Sequence, residues 1–348
     1  MSITIIGAGL SGLLTGYLLK KEGIPFKILE ARNRVGGRIN TIYDANKAPL
    51  DMGATWFTKQ HTHVIGLLKE LEIEHFEQRM DNNVFYETSA ASPAQLVQIP
   101  SQSPSFRISG GTSCLIKALL HKLDQTDVVF NQSVTHIKID KNTVEVHAEK
   151  NFESRSVVLA LPPKLWVKKI IFEPGLPTDL MGVAIQTHTW MEDSIKIALS
   201  YDEPFWKIGN IPGTLFSNSG PITELYDHSN HERSKYALCG FIDSSLKNLT
   251  YTDRRERVIN QIKKIYGVEA EGFTSYRECV WSKEENTFES SETFLYPHQN
   301  NGNPIFRESY FDDTLFISSS ESATEFAGYM DGAVSSAYQI VKKITKGY

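Results

Sequence analysis

The chain opens on an apolar, β-branched run, Ile3-Thr4-Ile5-Ile6, which reads as a strand buried on both faces. Glycines crowd residues 7–12, and Leu13 to Lys21 then carries a helical pattern that Gly23 ends. After Pro25, Phe26-Lys27-Ile28-Leu29 predicts a second strand that stops at Glu30. The order is strand, turn, helix, strand. Further on, Ser113 to Leu123 is helical, and Phe130 to Val134 and Thr135 to Asp140 read as strand material. Thr143 to Ala148 alternates as a strand, and Val157 to Leu161 is an apolar strand stopped by Pro162-Pro163. Ser194 to Tyr201 also alternates, with Ile195, Ile197 and Leu199 on one face and Lys196, Ala198 and Ser200 on the other. Thr252 to Tyr266 predicts an amphipathic helix, Leu315 to Ser318 a strand, and the segment up to about Lys343 a closing helix.

At 348 residues the chain exceeds the usual single core, so two structural domains are expected. A net charge of −5 gives no basic footprint for nucleic acid. Cys114, Cys239 and Cys279 are odd in number, far apart and outside any CxxC pair, which fits a reducing compartment without disulfides or a zinc site. The close pairs His61/His63 and His228/His231 read as solvated loop histidines rather than metal ligands. Met1 and Ser2 lead straight into the first strand, and no window reaches the roughly 18 apolar residues of a membrane span. A cytoplasmic protein without a membrane segment is the expectation.

The first turn carries the first chemistry. Gly7-Ala8-Gly9-Leu10-Ser11-Gly12 sits between strand and helix. Gly7 allows the tight turn, Gly9 lets a pyrophosphate approach the backbone, and Gly12 lets the helix pack on the sheet. The helix start offers N–H groups to phosphate. Glu30, at the end of the second strand, is placed to accept from ribose hydroxyls, which disfavours a 2′-phosphorylated ribose. A dinucleotide follows from these residues; which one does not.

The next segments narrow it. Glu30-Ala31-Arg32-Asn33-Arg34-Val35-Gly36-Gly37-Arg38 contains R-x-G-G-R, two glycines flanked by arginines, which suits an anion. It resembles the second signature of the flavin-containing amine oxidase superfamily, which includes the monoamine and polyamine oxidases. Asp51-Met52-Gly53-Ala54-Thr55-Trp56-Phe57 resembles that family's D-x-G-A-x-W segment, which passes beneath the flavin ring. Gly110-Gly111, the Ala160-Leu161-Pro162-Pro163 corner, Ser320-Glu321-Ser322-Ala323 and Ala327 to Val334 continue the likeness. One departure is Ser319, where the family usually has glycine.

The resemblance implies noncovalent FAD, since no cysteine lies in the segment after Trp281. It implies cofactor contacts from Gly7, Gly9, Gly12, Glu30, Ala31, Arg32, Gly36, Gly37, Arg38, Gly53, Ala54, Thr55, Trp56, Val134, Glu321, Met330 and Ala333. The implied fold class is α/β and α+β. A discontinuous, Rossmann-type FAD-binding domain would take residues 1–80, 106–165 and 281–348. A substrate domain of mixed or antiparallel sheet and helices would take 81–105 and 166–280.

Asp202-Glu203-Pro204-Phe205-Trp206 resembles the family's E-P-F-W stretch, and at that spacing Lys196 matches a lysine that holds water at flavin N5. Tyr329 matches one of two aromatic rings that flank the flavin. Glu292 stands where the second belongs, or Phe294 if the register slips, and Glu292 or Glu289 would then guide a cationic substrate. The implied activity is oxidation of a small or medium amine by hydride transfer from its α-carbon to flavin N5, with O₂ as acceptor. Two alternatives stay open. One is a renalase-like dihydronicotinamide oxidase or a carbon–carbon desaturase; the other is an FAD-bound regulatory or binding module without turnover.

Overall fold

The computed structural model describes residues 2–100, 103–141, 143–291 and 293–346. At its centre is a five-stranded, wholly parallel sheet. Its strands run in the order Val128–Val129, Phe26–Leu29, Ile3–Ile6, Ser156–Leu159 and Leu315–Ile317. The outer members thus come from the middle and the end of the chain. Ile3, Ile5, Ile28, Val157, Val158 and Ile317 are fully buried, as both-faced burial of a parallel sheet requires. The helix Leu10–Lys21 covers one face and packs on the closing helix Met330–Lys346. The helix starts at Leu10, three residues earlier than the hydrophobic pattern alone suggests, because the glycine turn leads straight into it.

A four-stranded sheet, from Asn151–Ser154 through Thr143–His147 and His136–Asp140 to Ile171–Glu173, lies beside the other face. Trp166, Ile170, Leu176 and Leu180 join one apolar cluster with Ile6, Val157 and Ile317. Residues 166–185 therefore pack on the parallel-sheet side of the molecule, beyond the boundary near 165 that the proline pair suggests. Their apolar side chains drive this; a proline pair ends a strand without ending a domain.

A seven-stranded sheet forms the second layer, in the order Phe273–Val280, Ile195–Tyr201, Tyr236–Ile242, Ile222–Asp227, Leu215–Ser217, Asn83–Glu87, Gln95–Gln98. Its pairings are antiparallel except for Leu215–Ser217 with Asn83–Glu87. The strand Ile195–Tyr201 is buried along its whole length. Ile195, Ile197 and Leu199 pack with Val258 and Ile262 of the helix Tyr251–Tyr266. The opposite face bears small residues: Ala198, with Ala237 and Cys239 on the neighbouring strand, meets Ala48, Leu50 and Met52. That small-residue face lets residues 48–53 lie close against the sheet, directly alongside Lys196. No helix among the described residues is long and apolar enough to cross a membrane.

Candidate active site

One cavity of about 550 Å³ runs from the first glycine turn to the seven-stranded sheet. Its glycine-rich end lies at the carboxyl edge of the parallel sheet, where such sheets hold ligands. Gly7 has φ +103, a left-handed conformation that a side chain would strain. A Cβ on Gly9 would meet open space, whereas one on Gly12 would lie 1.9 Å from the Gly7 carbonyl oxygen. Gly9 therefore opens toward the cavity and Gly12 supports the turn from behind. The Glu30 carboxylate accepts from the Ala8 N–H at 2.8 Å and the Arg32 N–H at 3.0 Å, which fixes it at the cavity wall.

Ala31, Arg32, Gly36, Gly37, Arg38, Gly53, Ala54, Thr55, Trp56, Val134, Met330 and Ala333 all line the same cavity. Glu321 does not. It is fully buried behind the wall, 2.7 Å from Arg38. Burial alone would raise its carboxyl, but the Arg38 guanidinium outweighs this and holds it below the ordinary range. Glu321 thus aims Arg38 into the cavity. The cradle of glycines, the fixed acid and the aimed guanidinium fit a ribose-pyrophosphate.

Lys196 forms the opposite wall. Its Nζ donates to the Gly53 carbonyl at 2.7 Å and to the Thr55 hydroxyl, and lies 4.6 Å from the Trp56 ring centre. Burial pushes its pKa down. Beside it stand Trp56, Phe241, Phe216, Tyr226 and Glu224. Trp56 meets Tyr226 edge-on at 5.3 Å, and the Tyr226 hydroxyl donates to Glu224.

Tyr329 also lines the cavity, but its aromatic neighbour comes from an unexpected segment. Trp190 lies 5.3 Å from it and faces the same space. Glu292 lies outside the described residues. Neither Phe294, which is 79% exposed, nor Glu289, which pairs at 3.2 Å with Lys169 of the cavity wall, lines the cavity itself. From that stretch Phe288 does. The histidine reading also needs correcting. His61 and His228 are buried, the first against Tyr329 and Phe326, the second against Asp51.

Sequence reasoning missed Trp190, Glu192, Gln78, Glu224 and Tyr226. For Glu224 and Tyr226 a signal existed. In Ile222–Asp227 the two alternate against buried Leu225, which puts a carboxylate and a phenol on the face away from the core.

A sequence profile described as flavin containing amine oxidoreductase matches residues 10–107 and 100–345. The chain belongs to the flavin-containing amine oxidoreductase family. It is an FAD-dependent oxidoreductase, and an amine oxidase at the level of the family. It is 22% identical to a probable flavin-containing monoamine oxidase A of Dictyostelium discoideum, over 98% of this chain and 97% of that protein. It is 22% identical to human flavin-containing amine oxidase B, over 98% of this chain and 85% of that protein. Among solved structures, putrescine oxidase bound to putrescine superposes with a TM-score of 0.85 at 21% identity, covering 99% of both chains. Cyclohexylamine oxidase from Brevibacterium oxydans gives 0.86 at 18%, covering 99% of both. At these identities the two structures establish the shared fold. Among the described residues, no cysteine lines the cavity.

Proposed function

We propose that this chain oxidises a cationic small-molecule amine at the carbon beside its nitrogen, with O₂ as the final acceptor. The observation that carries the reading is Lys196: a buried lysine, held by two acceptors of the Gly53–Thr55 segment, in the same cavity as the glycine cradle. FAD held by the glycine cradle, Glu30 and Arg38 would supply a hydride acceptor for the substrate α-carbon and a route for both electrons to O₂, giving H₂O₂. The chain's own residues do the rest. Gly53 lets its segment lie flush on the Arg38 backbone, where a Cβ would come 2.1 Å from the Arg38 carbonyl oxygen; small Ala54 leaves room for a flat ring, and Trp56, Phe241 and Tyr226 shape an apolar slot beside it. Glu224 supplies a carboxylate that draws a substrate ammonium inward. Two positions on the Lys196 nitrogen are taken by Gly53 and Thr55. The remaining one is free to hold the water that hydrolyses the imine product to aldehyde and ammonia.

Tyr329 and Trp190 form the aromatic approach to the reacting carbon, with Trp190 in place of the second ring expected from the segment after Trp281. Three free thiols support a cytoplasmic location, which cell fractionation tests.

The test is anaerobic mixing of the yellow protein with panels of monoamines, diamines, amino acids and dihydronicotinamides, watching the flavin absorbance. Bleaching by amines is expected. Bleaching by dihydronicotinamides alone would overturn the reading in favour of a nicotinamide oxidase. A flavin that no candidate bleaches would favour a binding module.

A further inference from the structure

Gln78 is a buried polar residue of the cavity wall to which the proposed chemistry gives no part. It is 3% exposed and lines the cavity with Trp56 and Tyr226. It directly follows the strand His75–Glu77, and Trp56 directly precedes the strand Phe57–Thr58. These are the outer strands of a three-stranded sheet, both paired with Ser105–Ile108 between them. The sheet therefore brings together two side chains 22 positions apart. An amide offers one accepting oxygen and two donor hydrogens, and burying it costs stability unless each finds a partner.

Each does. Gln78 Oε1 accepts from the Trp56 indole N–H at 3.1 Å. Gln78 Nε2 donates to the Arg79 and Asp227 carbonyls, both at 2.8 Å. The orientation of the amide is forced: an indole N–H only donates and a carbonyl only accepts, so turning the amide over would set like against like at all three contacts. Asp227 ends the strand Ile222–Asp227, which also carries Glu224 and Tyr226. Its carboxylate accepts from the Trp206 indole at 3.1 Å and the Ser229 N–H at 2.9 Å, so the anchor is itself held. The far end of the lock is the Trp56 ring. It meets Tyr226 edge-on at 5.3 Å and Phe241 at 6.1 Å, and Lys196 Nζ lies 4.6 Å from its centre. Ring packing tolerates a range of tilts, whereas the hydrogen bond from the indole is directional and selects one.

We propose that Gln78 is a positioning residue for substrate selectivity: by fixing Trp56 to the strand of Tyr226 and Glu224, it sets the width of the slot beside the reacting centre. This rests on the reading of the cavity as an amine oxidase site. A fixed wall admits an unbranched chain. It rejects a chain whose branches need the ring to move, because displacing Trp56 breaks its bond to Gln78 and leaves a buried oxygen unpaired. A wall free to pivot yields without that cost, so selectivity falls while the slot remains.

The test follows Trp56 and selectivity together. In FAD-loaded protein carrying ¹⁵N-indole tryptophan, the five tryptophans give five indole N–H signals, and that of Trp56 is identified by its loss in Trp56→Phe. Gln78→Met, close in length but with no amide, should move the Trp56 signal and speed its hydrogen exchange. It should also lower the ratio of kcat/KM for n-butylamine or benzylamine over that for neopentylamine by about tenfold. In the Trp56→Phe background there is no indole N–H to hold, and adding Gln78→Met should leave the ratio alone. If Gln78→Met does not fold, Gln78→Asn, which withdraws the amide by one carbon, takes its place with the same expectations. An unmoved Trp56 signal, an unmoved ratio, or a loss of selectivity equally large in the Trp56→Phe background overturns the proposal, because a residue that merely ties two sheets together acts without regard to the indole. A wild type that none of these amines bleaches overturns the amine reading and the proposal with it; bleaching with selectivity unmoved overturns the proposal alone.

Discussion

The two ends of the cavity are built by opposite means. At the glycine-rich end, backbone does the holding: the Ala8 and Arg32 N–H groups fix Glu30, and Gly12 sits flush against Gly7. These groups lie within residues 7–32 and need particular glycines; the Arg38–Glu321 pair is the side-chain contact that reaches this end from the far end of the chain. At the other end, side chains do the holding, and they converge from distant segments. Trp56 donates to Gln78 at 3.1 Å, Gln78 donates to the Asp227 carbonyl at 2.8 Å, and Lys196 reaches back to Gly53. A site made of backbone constrains its sequence tightly, because few residue types allow the path. A wall of converging side chains can be altered one residue at a time without disturbing the fold.

That contrast breaks most sharply at Lys196. Lys196→Met should slow flavin reduction or reoxidation by about 10²- to 10⁴-fold, while FAD content stays at the wild-type level. Stopped-flow absorbance measures both half-reactions. Equal rates in variant and wild type would mean that the sheet-side wall has no chemical part.

At the cofactor end the matching change is Glu321→Gln. It strands Arg38 beside a buried neutral amide, and should cost roughly 3 kcal/mol of stability, read by denaturant melts. FAD should fall off more readily, yet KM for amine should hold. The pair also carries a pH signature. The folded pKa of Glu321 lies below its ordinary 4.5. Its contribution is therefore complete above about pH 4.5 and lost as pH falls through the lowered folded value. In the Gln variant that part of the acid sensitivity should vanish.

Glu224→Gln probes the substrate end alone. KM for a cationic amine should rise about tenfold, or about 1.4 kcal/mol, with FAD content unchanged. Phe294→Ser should do least. At 79% exposure the ring lies outside both ends, and stability and turnover should stay within about 0.5 kcal/mol of wild type.

The same contrast explains what the sequence made legible. The glycine turn, Glu30 and the R-x-G-G-R run could be read directly, because contiguous residues write backbone geometry. Lys196 was legible at one remove: alternation put it opposite Ile195, Ile197 and Leu199, and a face shared with Ala198 left room for a neighbour. Trp190 was not legible. It reaches Tyr329 only because the chain before Ile195–Tyr201 folds back across the cavity, a long-range event without a local pattern. His228 sits in a polar stretch, Asp-His-Ser-Asn-His-Glu, whose composition resembles a solvated loop. It is buried against Asp51, 177 residues away. Glu321 was expected to contact the cofactor but stands behind the cavity wall, and its pairing with Arg38 needed the fold to bring the two ends of the chain together.

The central claim is that this cavity removes hydride from the carbon beside an amine nitrogen. Anaerobic stopped-flow mixing of the FAD-loaded protein with an amine that bleaches it, and with its α-deuterated form, tests this most directly. The account predicts that deuteration slows bleaching several-fold and that each bleached flavin yields one aldehyde. Bleaching at the same rate with both forms and no aldehyde, or a flavin that amines leave yellow, would contradict it.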